Sequence, residues 1–445
     1  MDILAAVAAN EEQVGVKWPS PEDEAHAREE ARNEIAAINQ HTQAIEFHGN
    51  SSSMAFLNQL HLLQRNHSRD RVVAELGTPR QASVSLVSTM HDPGFSPTPQ
   101  SGNDSSNSST HQLYFRQAYK FIEAYFDSLH YIHPFMDKAD FMTRAEDLWF
   151  GRRNHGASFV ALYFGVLSLG ALIGEWDTRV LDGLNRFQWS RKLFHEAQSR
   201  LRDLHFSNDL DTVQCLYFMA KVCQNELNPH LSYMYLGLAI RTCLSAGFNR
   251  EITGQEERKA TAISRTWWGL YSLEVEMSFA LGRPDTLGDD EYHNRRLPQL
   301  EHTEADYIPL MVDLARIMRN TSIGIYHTAN SLKDKLHTAF TIEQEMETRF
   351  RNLPANIRPD IDQGRPALSN LRDPKWVKRQ RLVLHIRFHN VRMLMFRPFL
   401  SYCPTDLFRA PLKLQQAVDK CVQSAIDTLK MIYDIYQTQT FFRSW

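Results

Sequence analysis

Residues Asp211–Arg250, DTVQCLYFMAKVCQNELNPHLSYMYLGLAIRTCLSAGFNR, restrict the possible folds more than any other stretch. Val213, Leu216, Tyr217 and Ala220 recur at helical spacing, as do Leu231, Tyr235, Leu238 and Thr242. Asn228-Pro229 breaks the first helix and Gly247 stops the second, so the stretch is a helical hairpin. On the second helix Arg241 shares a face with Met234, Leu238 and Ser245. Its guanidinium is therefore expected to point partly inward and to need a partner.

The rest of the chain is compatible with such a helical body. Its 445 residues suit two or three average domains, or one large helical domain with tails. With 43% hydrophobic and 23% charged residues, it can bury a large core. Forty-nine Lys and Arg stand against 52 Asp and Glu, a net charge of -3, so no overall positive excess exists to track phosphates. The five cysteines, Cys215, Cys223, Cys243, Cys403 and Cys421, are odd in number and widely spaced. They read as buried thiols of a reducing compartment. Met1–Asn10 lacks the basic flank and length of a signal peptide. The uncharged segment Gly156–Gly174 contains Gly170-Ala-Leu-Ile-Gly174, the spacing of a close-packing helix; it is expected to be a central buried helix and not a membrane span.

In chain order, Glu22–Phe47 is charged, with Ile35, Ile38, Thr42 and Ile45 at heptad-like spacing, and predicts helix. Residues 91–111 are rich in Ser, Pro and Asn and predict a disordered linker between an arm at 1–90 and a main domain at 112–445. That domain opens on a helix carrying Tyr114, Ala118, Phe121, Ile122, Tyr125 and Leu129. Helical patterns follow at Trp189–Leu204, Glu256–Leu281, Glu304–Arg351, around Leu384–Met395, and at Leu412–Tyr436. In Glu256–Leu281 one stripe runs Ile263, Trp267, Leu270, Met277 and Leu281, and the position completing it is Glu274. A buried carboxylate needs a partner, and Arg241 is the candidate; stranding such a charge by Glu274→Ala costs about 3–5 kcal/mol. Gly282-Arg283-Pro284 then stops the helix: Gly permits a left-handed turn, Arg reaches the last carbonyls, and Pro blocks continuation.

Tyr235-Leu-Gly237-Leu-Ala-Ile-Arg241, closed by Gly247-Phe-Asn-Arg250, resembles the central signature of the fungal-specific transcription factor regulatory domain, the middle homology region found downstream of zinc binuclear clusters. Further stretches fall in that family's order: Phe47-His-Gly-Asn-Ser-Ser52, Tyr125-Phe-Asp127 with His133-Pro-Phe135, Trp267-Trp268 with Gly282-Arg283-Pro284, and Phe396-Arg397-Pro398-Phe399. The resemblance implies a nuclear regulator of transcription, of a metabolic or secondary-metabolite pathway, whose helical domain restrains or supports activation and senses a small-molecule effector. Family members commonly have Asp-Arg at the place of Glu274-Val275; the acid is kept in kind here and the Arg is not. The family's zinc cluster needs six closely spaced thiolates, and no cysteine precedes Cys215. Contact with DNA is therefore expected either indirectly, through a homodimer or a heterodimer with a related full-length regulator, or through a zinc cluster that belongs to a longer protein of which this sequence is a piece. Family members also continue through further helices past a stretch like the last one, so apolar surface is expected there that needs a partner.

Catalytic and metal chemistry finds little footing. Asp289-Asp290-Glu291 sits in a loop without the second acidic motif that would help hold magnesium. His385 and His389 are four apart but lack the glutamate of a zinc-protease motif. The basic run Lys375–Arg381 is expected to be a solvated helix face. No catalytic residue, cofactor or metal site is nominated. The ligand-contacting candidates are Trp268, Arg241 and Glu274, with Trp267 assigned to the core. The expected fold is all-α, a large multi-helix domain of packed helical hairpins with a partly disordered N-terminal arm. Competing expectations are a helical small-molecule-binding protein or metabolic enzyme that has left transcription, and a scaffold that only dimerises.

Overall fold

The computed structural model describes residues 34–38, 45–60, 113–174, 180–203, 207–251, 254, 256–298, 303–361, 373–403 and 410–438, with single positions at 18, 20, 22 and 25. The expected linker at 91–111 and most of the arm lie outside the described residues. Among the described residues the helices of the main body are α1 Phe115–Phe126, α2 Lys138–Phe150, α3 Ala157–Ile173, α4 Arg186–Asp203, α5 Leu210–Asn225, α6 Pro229–Ser245, α7 Glu257–Leu281, α8 Tyr307–Thr321, α9 Leu332–Arg351, α10 Lys375–Phe396 and α11 Leu412–Thr438; residues 53–60 are helical as well. The all-α reading holds.

Local chemistry sets the boundaries. Asp137 accepts from the Ala139 and Asp140 amides to cap α2, Asp209 from Thr212 to cap α5, and Asn228 from Leu231 to cap α6. Gly247 and Gly282 adopt φ values of 69° and 66°, which side chains rarely tolerate, and so end α6 and α7. The expected hairpin Asp211–Arg250 is α5 and α6.

The uncharged α3 forms the centre, packed against α1, α4 and α5 and buried from Phe159 to Ile173 except at Val160. Among the described residues no helix is long and apolar enough to cross a membrane. Ser168 in α3 donates to the Ser190 carbonyl of α4 (2.8 Å), which satisfies its hydroxyl inside an apolar crossing. The predicted region Glu304–Arg351 is two helices, separated by a π-helical turn at Ser322–Tyr326.

Two expectations are corrected. Ile35–Ile38 and Ile45–His48 are not helical but strands β1 and β2 of an antiparallel pair, with Ile35 opposite His48 and Ile38 opposite Ile45. Extended backbone at Ile45–His48 delivers the following segment to the end of α7, and that docking overrides a weak helical pattern. Arg241 does not point inward. The buried face of α6 is Ser232, Leu236, Ala239, Ile240, Thr242 and Cys243, so Met234, Leu238, Arg241 and Ser245 face solvent. With apolar residues nearly all round this helix, periodicity alone could not choose between its two faces.

Near the end, α10 and α11 pack through Leu382, Ile386, Met431 and Ile435. His385 and His389 are buried on α10 with ring centroids 5.1 Å apart, and neither ring has a hydrogen-bond partner among the described residues. Burial, and then the neighbouring His389, push His385 down to about 4, against the carboxylates of Asp360 and of Asp427 on α11; His389, which also faces Arg392, is lowered by burial. A base with a depressed folded pKa loses stability as pH falls from the unfolded value near 6.5 towards the folded one. The chain is expected to lose about 3 kcal/mol through His385 over that window. Urea unfolding across pH 4–7 checks this, and His385→Phe should flatten the slope.

Candidate functional site

The site is built on the C-terminal half of α7 and the loop that follows it. Ile263, Trp267, Leu270, Met277 and Leu281 are buried, and Glu274 completes the stripe with no solvent exposure. Its partner is not Arg241 but the loop itself: Thr286 donates to Glu274 Oε1 through its amide (3.0 Å) and its hydroxyl (2.9 Å). Burial pushes the carboxyl up, against these two bonds and with Asp285 adding to the rise, while Oε2 has no hydrogen-bond partner among the described residues. Without an arginine to strand, Glu274→Ala costs about 1–3 kcal/mol for the donors it leaves unpaired, not the 3–5 expected for an ion pair.

The sign follows from the raised pKa. The folded state holds this proton more firmly than the unfolded one, so stability falls as pH rises above the ordinary carboxylate range towards the folded pKa. Glu274→Gln, which keeps the acceptor and removes the titration, is expected to melt at or above the wild-type temperature at pH 7.5 and to flatten that slope. A large loss at pH 7.5 would mean that the ionised form is the one the fold uses.

The loop Gly282–Arg296 folds back onto α7 and is clamped from three sides. Arg319 of α8 bonds both oxygens of Asp285, Asp290 Oδ1 (3.0 Å) and the Gly288 carbonyl (2.7 Å). Tyr271 donates to Asp290 Oδ1 at 2.6 Å, and Arg316 to Oδ2 at 3.1 Å. Although burial works the other way, these partners hold Asp290 below the ordinary carboxylate range. The acidic Asp289-Asp290-Glu291 run thus gives Asp290 to arginines; among the described residues no cluster of three His, Cys, Asp or Glu could hold a metal ion. From the other side, Asn249 donates to the Tyr292 carbonyl (3.0 Å) and to His293 Nδ1 (3.2 Å), while His293 Nε2 donates to Leu287 O (3.1 Å). Burial lowers the pKa of that histidine, against its bond to the Leu287 carbonyl and the nearby Asp290. Arg295 reaches the Phe248 carbonyl (3.0 Å), so the Gly247–Arg250 end of the hairpin grips the loop.

The same turn receives the N-terminal segment. Gly49 donates its amide to Leu281 O at 2.9 Å, and Ser51 its hydroxyl to Phe279 O at 2.7 Å. Gly49 and Gly282 touch backbone to backbone, and a methyl group on either would overlap the other. Arg283, expected to reach the last carbonyls of its own helix, instead donates to Phe47 O (2.8 and 3.1 Å) and stacks on Tyr233, whose hydroxyl bonds the Pro284 carbonyl (3.0 Å). Arg397, buried at the end of α10, donates to Ser51 O at 2.6 Å and lies over the rings of Phe56 and Tyr326. Four stretches distant in sequence therefore close on one point.

Among the described residues, two cavities are large enough to matter here. One of about 370 Å³ adjoins this junction and is lined by Glu34, Asn50, Phe56, Tyr326, His327 and Arg397, with Pro398 at its wall. The other, about 670 Å³, is a charged cleft between α2, α5 and the start of α7, in which Arg144 pairs Asp211 and Arg258 approaches Asp137 and Asp140 at 3.4 Å. Trp268 lines neither. Its ring is buried and its N–H donates to the Arg296 carbonyl at 3.2 Å, which makes it part of the loop clamp.

Of the residues nominated from sequence, Gly282, Arg283, Pro284 and Arg397 meet at the junction, with Pro398 on the wall of the adjoining cavity, whereas Trp268 and Glu274 bond the loop and Trp267 packs on its His293. Gly237 and Arg241 join neither. The residues that sequence reasoning missed are Tyr233, Thr286, His293 and Arg319. Only the acidic loop, which calls for counter-charges, offered a signal for Arg319. The basic run at the start of α10 is also less solvated than expected: Arg381 pairs Asp373 at 2.7 Å, and Arg379 bonds the Asp127 carbonyl.

Residues 122–378 match the family model described as fungal specific transcription factor domain. "Activator of stress genes 1" of Saccharomyces cerevisiae is 23% identical over 65% of this chain and 32% of its own length. "Zinc finger protein grt1" of Schizosaccharomyces pombe is 23% identical over 90% of this chain and 64% of its own length. "Terreic acid cluster-specific transcription factor atF" of Aspergillus terreus is 22% identical over 90% and 67%. This chain thus spans from about a third to about two thirds of these relatives. A chain of the K. lactis CBF3 core aligns with a TM-score of 0.49 and 13% identity, covering 80% of this chain and 75% of that one.

Proposed function

The chain belongs to the fungal specific transcription factor domain family, and from that premise we propose that residues 112–445 form the regulatory body of a nuclear transcription regulator, with the Gly49–Gly282 junction as its switching element. The observation that carries this reading is the convergence of Phe47–Ser52, Gly282–Pro284 and Arg397 on one backbone contact. A segment held by a few backbone bonds and one buried arginine is a bistable element: docked, or released as a unit. The 370 Å³ cavity between that segment and α8–α10 is the place where a small polar effector would bias it, because Asn50 and Arg397 line the cavity and also belong to the junction. The atF relative, named for a terreic acid cluster, supports a role over a metabolite pathway. We assign the chain no catalytic role.

The test is a reporter driven by the full chain fused to a heterologous DNA-binding domain. Gly49→Ala, which undocks the segment, is expected to change output about fivefold or more. Unchanged output, with undocking verified by hydrogen exchange, would sink the proposal.

A further inference from the structure

The last helix, α11, carries two apolar faces. One is docked: Leu414, Ala417, Cys421, Ser424, Met431 and Ile435 are buried against the body. The other is open: Val422 is 46% exposed, Ile426 39%, Leu429 68%, Tyr433 66% and Tyr436 52%. These five positions follow one another at steps of four, three, four and three, the a/d seam of a heptad. Ile432, 41% exposed, widens the strip. A helix that is apolar on both sides is normally covered on both.

We propose that the cover is α11 of a second copy of this chain, laid antiparallel across a two-fold axis between Asp427 and Thr428. The seam itself selects that arrangement. One step before Val422 it carries an exposed acid, Asp419. In a parallel pair Asp419 meets its own copy, two carboxylates at one core position. In the antiparallel pair Asp419 meets Tyr436 of the second copy, and no two carboxylates share a core position. Val422 then meets Tyr433, and Ile426 meets Leu429. At the flank Gln423 falls opposite Lys430 and Gln416 opposite Gln437, so no like charges face each other. Each contact occurs twice about the axis, as a two-fold interface requires. Residues 419–436 of two copies bury on the order of 1,000 Å², the lower bound for a specific interface, so the dimer is concentration-dependent. The inference is independent of the regulatory reading, since the seam pairs copies whatever the junction does.

Sedimentation equilibrium of the purified chain from about 1 to about 100 µM tests it. A monomer–dimer equilibrium is expected, and Leu429→Lys, an exposed substitution, should weaken it about tenfold or more while leaving the melting temperature unchanged. A wild-type monomer at the upper concentration, or a dimer indifferent to Leu429→Lys, would overturn the proposal and leave the seam to a different protein. Orientation is read separately in a Cys403→Ser background under an added oxidant. Val422→Cys combined with Tyr433→Cys should cross-link into a covalent dimer, and Val422→Cys alone should not. Cross-linking by the single variant would overturn the antiparallel arrangement.

Discussion

Gly170→Ala is expected to destabilise the whole domain by about 3 kcal/mol or more, although alanine is the better helix former. Gly170 lies inside α3 at its crossing with α1, and a methyl group there would overlap the carbonyl of Phe121. The obstacle is backbone, so no rotamer change relieves it. Moving α3 away is equally costly, because α4 and α5 hold its other sides. The helix-propensity gain of about 1 kcal/mol is too small to offset the loss. Gly237→Ala is the control. No atom lies within 4 Å of the position its methyl would take, so there the propensity term stands alone and stability should rise by up to about 1 kcal/mol. Urea unfolding of both variants decides the matter. A neutral Gly170→Ala would mean that the α1–α3 crossing is looser than described.

Gly49→Ala is the second large effect, and it is expected to be local. The methyl group would overlap Gly282 O, and Gly282 cannot turn aside because its left-handed conformation ends α7. Relief comes by releasing the segment. The bonds from Gly49 to Leu281 and from Ser51 to Phe279 go with it, and Arg397 loses the Ser51 carbonyl. The expected cost is about 2–3 kcal/mol, read as lost hydrogen-exchange protection at residues 45–60 and 279–284. The α1–α3–α5 core should keep its protection. Gly282→Ala breaks the same contact, so the double variant should cost much less than the two single costs combined. Additivity would show that the two glycines do not share one constraint.

What sequence could determine here was whatever depends on near neighbours in the chain. The α5–α6 hairpin, its Asn228-Pro229 break, the Gly282 stop, and burial of the uncharged Gly156–Gly174 stretch all rest on spacing and capping within a few residues. The apolar stripe of α7 was legible for the same reason, and so was the acid at Glu274 that interrupts it. The acid's partner was not. Thr286 lies on a loop that returns to α7 only because Asn249, His293 and Arg319 hold it there, and nothing local marks those residues. The face of α6 was misread because a helix apolar on most sides takes its orientation from what packs against it. Extended backbone at Ile45–His48 likewise answers to its docking on α7, which lies over two hundred residues on. Motif order in the sequence pointed to the family; that Phe47–Ser52, Gly282–Pro284 and Arg397 meet at one contact was decided by the tertiary fold alone, because long-range backbone contacts leave no period to read.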